Sequence, residues 1–402
     1  MKTELLSDWK QVKLIDVSLD KGQYGSGASA IDYNSKKPRY VRITDIDDEG
    51  QIKDDGLKSP SDVEEKYFLE YGDFLFARSG SVGRTYLHEK KDGTYQYAGY
   101  LIRFKLNQKL ILPKYLYYVT KSKFYWEWIE KQQKSVTISN INAQQYANFK
   151  FLLPSILTQK KIVSILEKAE KLKEMRDEAD QLTKDFPKAI FSEIFGNLAT
   201  NPNSWPCYRL SELTELRGGI QLSKERAPKS HARPYLTIRN VYAGRLDLSD
   251  VRQMEVSDND LEKWCLKSGD LLVLEGGDRD DVGRTAIFQG ELENCVHQNH
   301  VFRVRVNQDF LMPEFLMYYL NSDFIKAKFF VMAKATTGIN SINMTQLKSI
   351  EVICPPMEYQ KEFFHVLEKV GTLKNIQKQS KDNVNNLFDN LMQKAFKGEL
   401  AC

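Results

Sequence analysis

Two hydrophobic rhythms run through the 402-residue chain. From Tyr40 to Ile46 and from Arg103 to Leu106 apolar and polar residues alternate, which predicts half-buried strands. Pro113-Lys114-Tyr115-Leu116 and Pro313-Glu314-Phe315-Leu316 predict helix starts, because a proline in the first turn gives up no helical hydrogen bond. The second rhythm is longer. Ile162, Leu166, Ala169, Leu172, Met175, Ala179, Leu182, Phe186 and Ile190 recur every three or four residues, with Pro187 inside the stretch. Phe363, Leu367, Val370, Leu373, Val384, Leu387 and Leu391 do the same later, interrupted by Gln377 and Ser380. Each stretch predicts a helix of about 60 Å. A long helix with one apolar stripe needs a partner along its length. The expectation is an antiparallel, coiled-coil-like pair. Ile162, Leu166, Leu172, Leu182 and Phe186 of one helix would meet Phe363, Leu367, Val370, Leu387 and Leu391 of the other. Two separate helical linkers are the alternative.

The chain is also written twice. Trp9 and Leu14 return as Trp205 and Leu210, the stretch 40–46 as 235–241, and Gly72-Asp73 as Gly269-Asp270. Val82-Gly83-Arg84-Thr85 returns unchanged as Val282-Gly283-Arg284-Thr285. The stretch 103–108 with Pro113 matches 303–308 with Pro313; Ile141-Asn142 matches Ile342-Asn343, Pro154 matches Pro355, and Leu166-Glu167-Lys168 matches Leu367-Glu368-Lys369. The shift between copies drifts slowly near roughly 200 residues, as loop insertions in a duplicated unit would make it do. The resulting expectation is an α+β chain with an internal pseudo-two-fold repeat. Globular segments at 1–154 and 200–355 would be held apart by helical spacers at 155–199 and 356–402.

Composition narrows the class. Apolar residues at 42% and charged residues at 28% fit a soluble globular chain. There is no apolar run of about 18 residues, and Met1-Lys2-Thr3-Glu4 leads into charged sequence, so a cytoplasmic location without membrane contact is expected. Five cysteines without a CxxC pair read as reduced thiols. A net charge of +4 and a pI near 8.5 permit nucleic-acid binding without requiring it. Catalytic motifs are missing. Cys354-Pro355-Pro356-Met357 has the wrong flanks for the loop that holds a flipped adenine, no Gly-rich loop suits S-adenosylmethionine, and there is no GxxxxGK[ST] phosphate loop. His297 and His300 stand at a ligand-like spacing, but Tyr97 and Tyr100 replace them in the first copy, so no metal site is expected.

Candidate DNA contacts remain. Arg78, Ser79, Ser81 and Arg84 lie in a Gly-containing stretch that can offer amides, hydroxyls and guanidinium groups to phosphate. The second copy carries Glu275-Gly276-Gly277-Asp278-Arg279-Asp280-Asp281 there, with Arg279 and Arg284 as candidates; its carboxylates would accept from cytosine amino groups or stay solvated. A hairpin turn with a surface arginine is the plainer alternative. Arg103 with Lys105, and Arg303 with Arg305, share strand faces that are either DNA-facing or solvated. Lys134, Thr137 and Ser139 in one copy, and Thr336, Thr337 and Asn340 in the other, belong to polar loops ahead of Ile-Asn. Thr44-Asp45 and Arg239-Asn240 end matching strands with unlike side chains. A matching scaffold with divergent loops suits two readers of different sequences, though neutral drift would also produce it.

At this point the chain resembles the specificity subunit of Type I restriction-modification systems. The resemblance rests on the two Trp…Leu openings, the two Gly-Asp plus Val-Gly-Arg stretches, and the two Ile-Asn…Pro…Gln stretches that enter long helices. It also rests on Phe195-Gly196-Asn197 ahead of Asn201-Pro202…Trp205, and on the closing Ala395-Phe396-Lys397-Gly398-Glu399-Leu400. It spans essentially the whole chain. It implies two target-recognition domains, 1–154 and 200–355, each reading half of a split site on double-stranded DNA. It implies helices that bind two methyltransferase subunits, joined for cleavage by motor-nuclease restriction subunits. S-adenosylmethionine, ATP and Mg would belong to those partners; this chain would bind no cofactor and perform no catalysis. The acidic 278–281 stretch departs from the pattern and puts the phosphate role of the second Gly-rich loop in doubt.

Overall fold

The computed structural model describes residues 9–90, 93–134, 140–278, 281–336 and 339–400, without the side chains at 134, 334–336 and 339. The chain is α+β, with two 40-residue helices at Ile156–Phe195 and Met357–Phe396. It divides into two compact units, one of residues 1–178 with 378–402 and one of 179–377. This differs from the four consecutive segments expected, because each unit takes a piece of both long helices. The cores show why. In the first unit Ile162, Leu166 and Ala169 from the start of the first long helix join Phe388, Met392 and Ala395 from the end of the second, around Phe76, Tyr115 and Tyr146. In the second unit Phe191 and Phe195 join Phe363 around Val304 and Phe315. The apolar helix ends are buried by the sheets and short helices beside them, so the border falls in mid-helix.

Each unit holds a four-stranded antiparallel sheet in the same order. In the first the order is Gln23–Tyr24, Leu101–Phe104, Phe74–Ala77, Thr85–Leu87. In the second it is Thr214–Arg217, Val301–Val306, Asp270–Leu274, Thr285–Phe288. The central strand is buried along its whole length in both. Its period of two explains the two cores it separates. Phe74 and Phe76 face the helical core, while Leu75 and Ala77 face a smaller cluster with Val41 and Tyr97. Leu271 and Val273, against Leu272 and Leu274, repeat the division.

Beyond the sheet, Arg39–Val41 runs parallel to Tyr95–Tyr97, and Tyr235-Leu236 parallel to Val296-His297. The alternation from Tyr40 to Ile46 is strand only as far as Val41. The Asp45 carboxylate accepts the Arg42 backbone N–H at 2.8 Å and folds Ile43–Asp45 into a 3-10 turn. The proline-led helices form at Pro113–Lys121 and Pro313–Leu320. Two buried glutamines then tie each long helix to its unit. Gln159 accepts from Leu112 N–H at 2.8 Å and donates to the carbonyls of Leu110 and Pro154 at 3.0 and 2.9 Å. Gln360 repeats this with Met312 N–H at 2.8 Å and the carbonyls of Phe310 and Pro355 at 2.9 and 2.7 Å. A buried amide that spends three bonds on backbone holds its segment in one place.

The long helices keep only part of the expected stripe inside. Ile162, Leu166, Phe363 and Val370 are buried, and Leu367 and Leu391 pack partly buried against the cores. Leu172, Leu182, Phe186 and Leu387 are exposed instead, with Met175, Leu373 and Ile376. In the first helix the buried line passes through Thr183, Pro187 and Phe191. Gln377, which interrupts the stripe in the sequence, is buried: its Nε2 donates to Thr183 Oγ1 at 2.8 Å. Lys381 pairs with Asp177 at 2.6 Å. The apolar line and the packed line share a spacing of about 3.5, but after Ala169 the packed line runs through Lys173, Arg176, Asp180, Thr183 and Pro187, one residue beyond Leu172, Met175, Ala179, Leu182 and Phe186.

Candidate nucleic-acid interface

In each unit the central strand ends in a loop anchored by the same backbone bonds. The Arg78 N–H donates to the Tyr100 carbonyl at 3.0 Å, and the Arg78 carbonyl accepts from Ile141 N–H at 2.9 Å. In the second unit the Glu275 N–H donates to the His300 carbonyl at 3.1 Å, and the Glu275 carbonyl accepts from Ile342 N–H at 2.8 Å. Arg78 and Glu275 therefore occupy one position of the repeated frame, as do Tyr100 and His300. The loop then closes with Gly83 N–H on the Ala77 carbonyl at 3.3 Å, and with Gly283 N–H on the Leu274 carbonyl at 3.1 Å. Six positions separate the first pair and nine the second. Aligning the repeats on Val-Gly-Arg-Thr alone sets Arg78 against Asp278 and misses the true counterpart.

A second strip of backbone approaches the same place. A Cβ on Gly25 would lie 2.3 Å from the Ala98 carbonyl oxygen, and one on Gly219 would lie 2.3 Å from that of Gln298. No side chain fits either gap, so both positions require glycine. The residues just before them, Tyr24 and Gly218, thereby correspond. The polar loop ahead of Ile-Asn completes the site: Ser79 bridges to Asn140, and Gly276 and Gly277 pair with Ser341 and Asn340.

Three loops of each unit thus converge on one exposed surface. In the first unit the Arg78 guanidinium lies 4.8 Å over the Tyr24 ring, its Nε 3.4 Å from Asn140 Oδ1, beside an exposed Tyr100. In the second, His300 Nδ1 lies 2.7 Å from a Glu275 carboxylate oxygen, and the imidazole is exposed.

Of the candidates named from sequence, Arg78 and Ser79 in one unit and Asn340 in the other lie on this surface. Ser81 is half-buried in the turn behind it, its carbonyl accepting Arg84 N–H at 3.1 Å. Arg84 and Arg284 are turned to intrachain partners. Arg84 donates to the Ile46 carbonyl at 2.7 Å and pairs with Asp48; Arg284 donates to Asp281 at 2.6 Å and stacks over Tyr242. Their guanidinium groups close loops within the chain. Asp45 and Asn240 are buried as well. Asp45 pairs with Arg42 at 2.5 Å. Asn240 accepts from Thr237 N–H and hydroxyl and donates to the carbonyls of Asp247 and Asp250, using its whole amide. Their neighbours Thr44 and Arg239 are exposed, on a different loop. Thr137, Ser139, Arg279 and Thr337, and the side chains of Lys134 and Thr336, lie outside the described residues.

Arg103, Arg303 and Arg305 form ion pairs with Asp73, Glu215 and Asp270, and Arg103 and Arg303 are buried. His297 is fully buried with Nδ1 2.7 Å from the Val301 carbonyl oxygen, and burial pushes its pKa down to about 4. It shares no surface with His300. Among the described residues no cluster of three or more His, Cys, Asp or Glu is placed to hold a metal ion. Tyr24 and Tyr100 were not among the candidates; Glu275 belongs to the acidic stretch expected to accept from cytosine amino groups or stay solvated, Asn140 ends the polar loop ahead of Ile-Asn, and His300 was weighed only as a metal ligand. The exchange of Tyr100 for His300 was the available signal.

Residues 6–183 and 202–386 both match the family described as Type I restriction modification DNA specificity domain. The chain belongs to this family. It is 27% identical over 312 residues to the Type I restriction enzyme EcoKI specificity subunit of Escherichia coli (strain K12), covering 73% of this chain and 67% of that one. It is 26% identical over 313 residues to the StySPI specificity subunit of Salmonella potsdam, covering 73% and 66%. The match thus spans about two thirds of each relative. Two solved structures share the fold over 98% of this chain at 18% identity. One, from work on complex assembly and conformational transition of the type I R-M system, has a TM-score of 0.65 over 99% of its length. The other, the HsdS subunit from Thermoanaerobacter tengcongensis, has 0.52 over 98%. The family is one of specificity subunits, and the chain is not an enzyme. No described helix is long and apolar enough to cross a membrane.

Proposed function

We propose that this chain selects a two-part site on double-stranded DNA, one part per unit, for a restriction-modification assembly. The observation that carries the reading is the pair of like-anchored loops with unlike side chains, Arg78 and Tyr100 against Glu275 and His300. A common frame with changed donors and acceptors suits two readers of different base edges.

The same assembly would dock two methyltransferase subunits on this chain, with motor-nuclease subunits beyond them. S-adenosylmethionine, ATP and Mg belong to those partners. Exposed Leu172, Met175, Leu182, Phe186, Leu373 and Ile376 give the long helices an apolar surface of the kind that partner helices cover. Each unit also has a cavity of like construction. One of 840 Å³ lies among Ser122, Phe124, Phe388, Met392 and Phe396, and one of 650 Å³ among Ser322, Phe324, Phe191 and Leu198. Two like cavities suit two copies of one partner.

The long helices, as an antiparallel coiled-coil pair with pseudo-two-fold repetition, would set the distance between half-sites. Four residues added in phase to both would lengthen the pair by about 6 Å, one or two base pairs at roughly 3.4 Å each. The test is to sequence methylated adenines in a host that carries this protein with its methyltransferase. One split motif is expected, with a longer unread spacer for the doubly extended protein. A continuous motif, or the same methylation without this chain, overturns the reading.

A further inference from the structure

The charge at the shared loop position reverses between the units, and this has a chemical meaning if the surface faces DNA. We infer that Arg78 selects a guanine in its half-site and that Glu275, oriented by His300, selects a cytosine in the other. The inference rests on the DNA-reading function proposed above and names the side chains that carry it.

The Arg78 guanidinium carbon lies 4.8 Å from the centre of the Tyr24 ring, and its Nε lies 3.4 Å from Asn140 Oδ1. Among the described residues its hydrogen bond uses Nε alone, so the two terminal nitrogens carry no partner from them. A planar guanidinium with paired donors matches the O6 and N7 acceptors of guanine in the major groove.

Glu275 poses the opposite problem. A carboxylate facing a polyanion is repelled by every phosphate, so it binds favourably only where DNA offers a donor, and base amino groups are those donors. The imidazole of His300 holds one carboxylate oxygen at 2.7 Å and leaves the second as an acceptor. The cytosine N4 amino group is the major-groove donor that a carboxylate matches. The second unit has Gly218 where the first has Tyr24, with open space where a Cβ would stand, so no tyrosine fills this position. Gly276 and Gly277 follow at once, which lets the loop backbone come close to a base edge.

The test uses the full chain assembled with its methyltransferase subunits, with binding selected from DNA randomised in both half-sites. Arg78→Ala should lower the preference for guanine at one position of one half-site by roughly tenfold to a hundredfold and leave the other half-site as it was. Glu275→Ala should relax a cytosine in the other half-site by a similar factor while total DNA binding holds or rises, because a repulsive charge is gone. Arg78→Lys, which keeps the charge and loses the fork, should lose the guanine preference and keep total binding.

A uniform loss for Arg78→Ala over all sequences, with the salt slope lower by about one, would make it a phosphate contact and overturn the assignment. A uniform gain for Glu275→Ala with selection unchanged would mean simple repulsion and overturn the other. If the unsubstituted assembly selects no sequence, the proposed function itself fails. If it selects a split site and the variants select the same one, only this inference fails.

Discussion

Asp73 and Asp270 stand at the head of the same central strand, yet they are neutralised from different places. Asp73 is reached by Arg103 at 3.4 Å, an arginine shared with the Phe68 carbonyl and Gln23, and burial raises the aspartate's pKa. Asp270 takes two bonds from Arg305, at 2.6 and 2.7 Å. Arg303, the counterpart of Arg103, turns to Glu215 on the next strand at 2.5 Å. Residues two apart on a strand share a face, so the cation moves one step along it without disturbing backbone register. A buried carboxylate needs a cation nearby, but the fold does not say which residue supplies it. The glutamines teach the converse. Gln159 and Gln360 bond to backbone, whose place the fold sets, and all three of their bonds recur. At these positions the side-chain pair drifts between the units, while the glutamine-to-backbone anchor does not. The same freedom at the loop tips lets Arg78 and Glu275 carry opposite chemistry on one frame.

The largest contrast should come from the two phenylalanines that end the long helices. Phe195 is fully buried, its ring within 4.8 Å of Phe315, 5.6 Å of Phe363 and 6.0 Å of Trp205. Phe396 is half-buried, 5.8 Å from Tyr115. Phe195→Ala should cost the second unit about 3–5 kcal/mol, and Phe396→Ala should cost the first roughly half that. Denaturant unfolding of the two variants checks it; equal losses would show that the units are closed alike.

Acid should then act on both units through one buried histidine each. Burial holds both His88 and His297 neutral with pKa values near about 4. An unfolded histidine takes a proton near about 6.5, so the unfolded state binds more protons between these values. Stability from each is full above about pH 6.5, falls as pH drops toward about 4, and amounts to roughly 3 kcal/mol at most. His88→Phe and His297→Phe should each flatten part of that acid limb in thermal melts; an unaltered limb would assign it to carboxylates.

Gln159→Ala and Gln360→Ala should be nearly equal, about 2–3 kcal/mol each, because both leave backbone groups without partners. A marked inequality in unfolding would break the rule that backbone anchors are interchangeable. The smallest effect belongs to Arg84→Ala and Arg284→Ala. Each should lower stability by about 1 kcal/mol through loss of its loop contacts, with no change in the salt dependence of DNA binding. A reduced salt slope would restore them as phosphate contacts.

The linear order of residues by itself determined the duplication, the strand that begins near Arg103, the proline-led helices and the two long helices. It also carried the family. These follow from spacing and period along the chain, which a repeat preserves whatever packs around it. Tertiary structure alone decided the rest. It moved the unit border into mid-helix, because the sheets bury the helix ends. It turned Leu172 and Phe186 outward and Gln377 inward, because the packed line of the first helix steps one residue along after Ala169 and its buried Thr183 bonds to Gln377. It set Glu275 opposite Arg78 in the repeated frame, because three extra loop residues displace the alignment but not the hydrogen bonds. And it chose which arginines meet carboxylates and which meet solvent, because that choice is made by distances across the fold and leaves no mark on spacing along the chain.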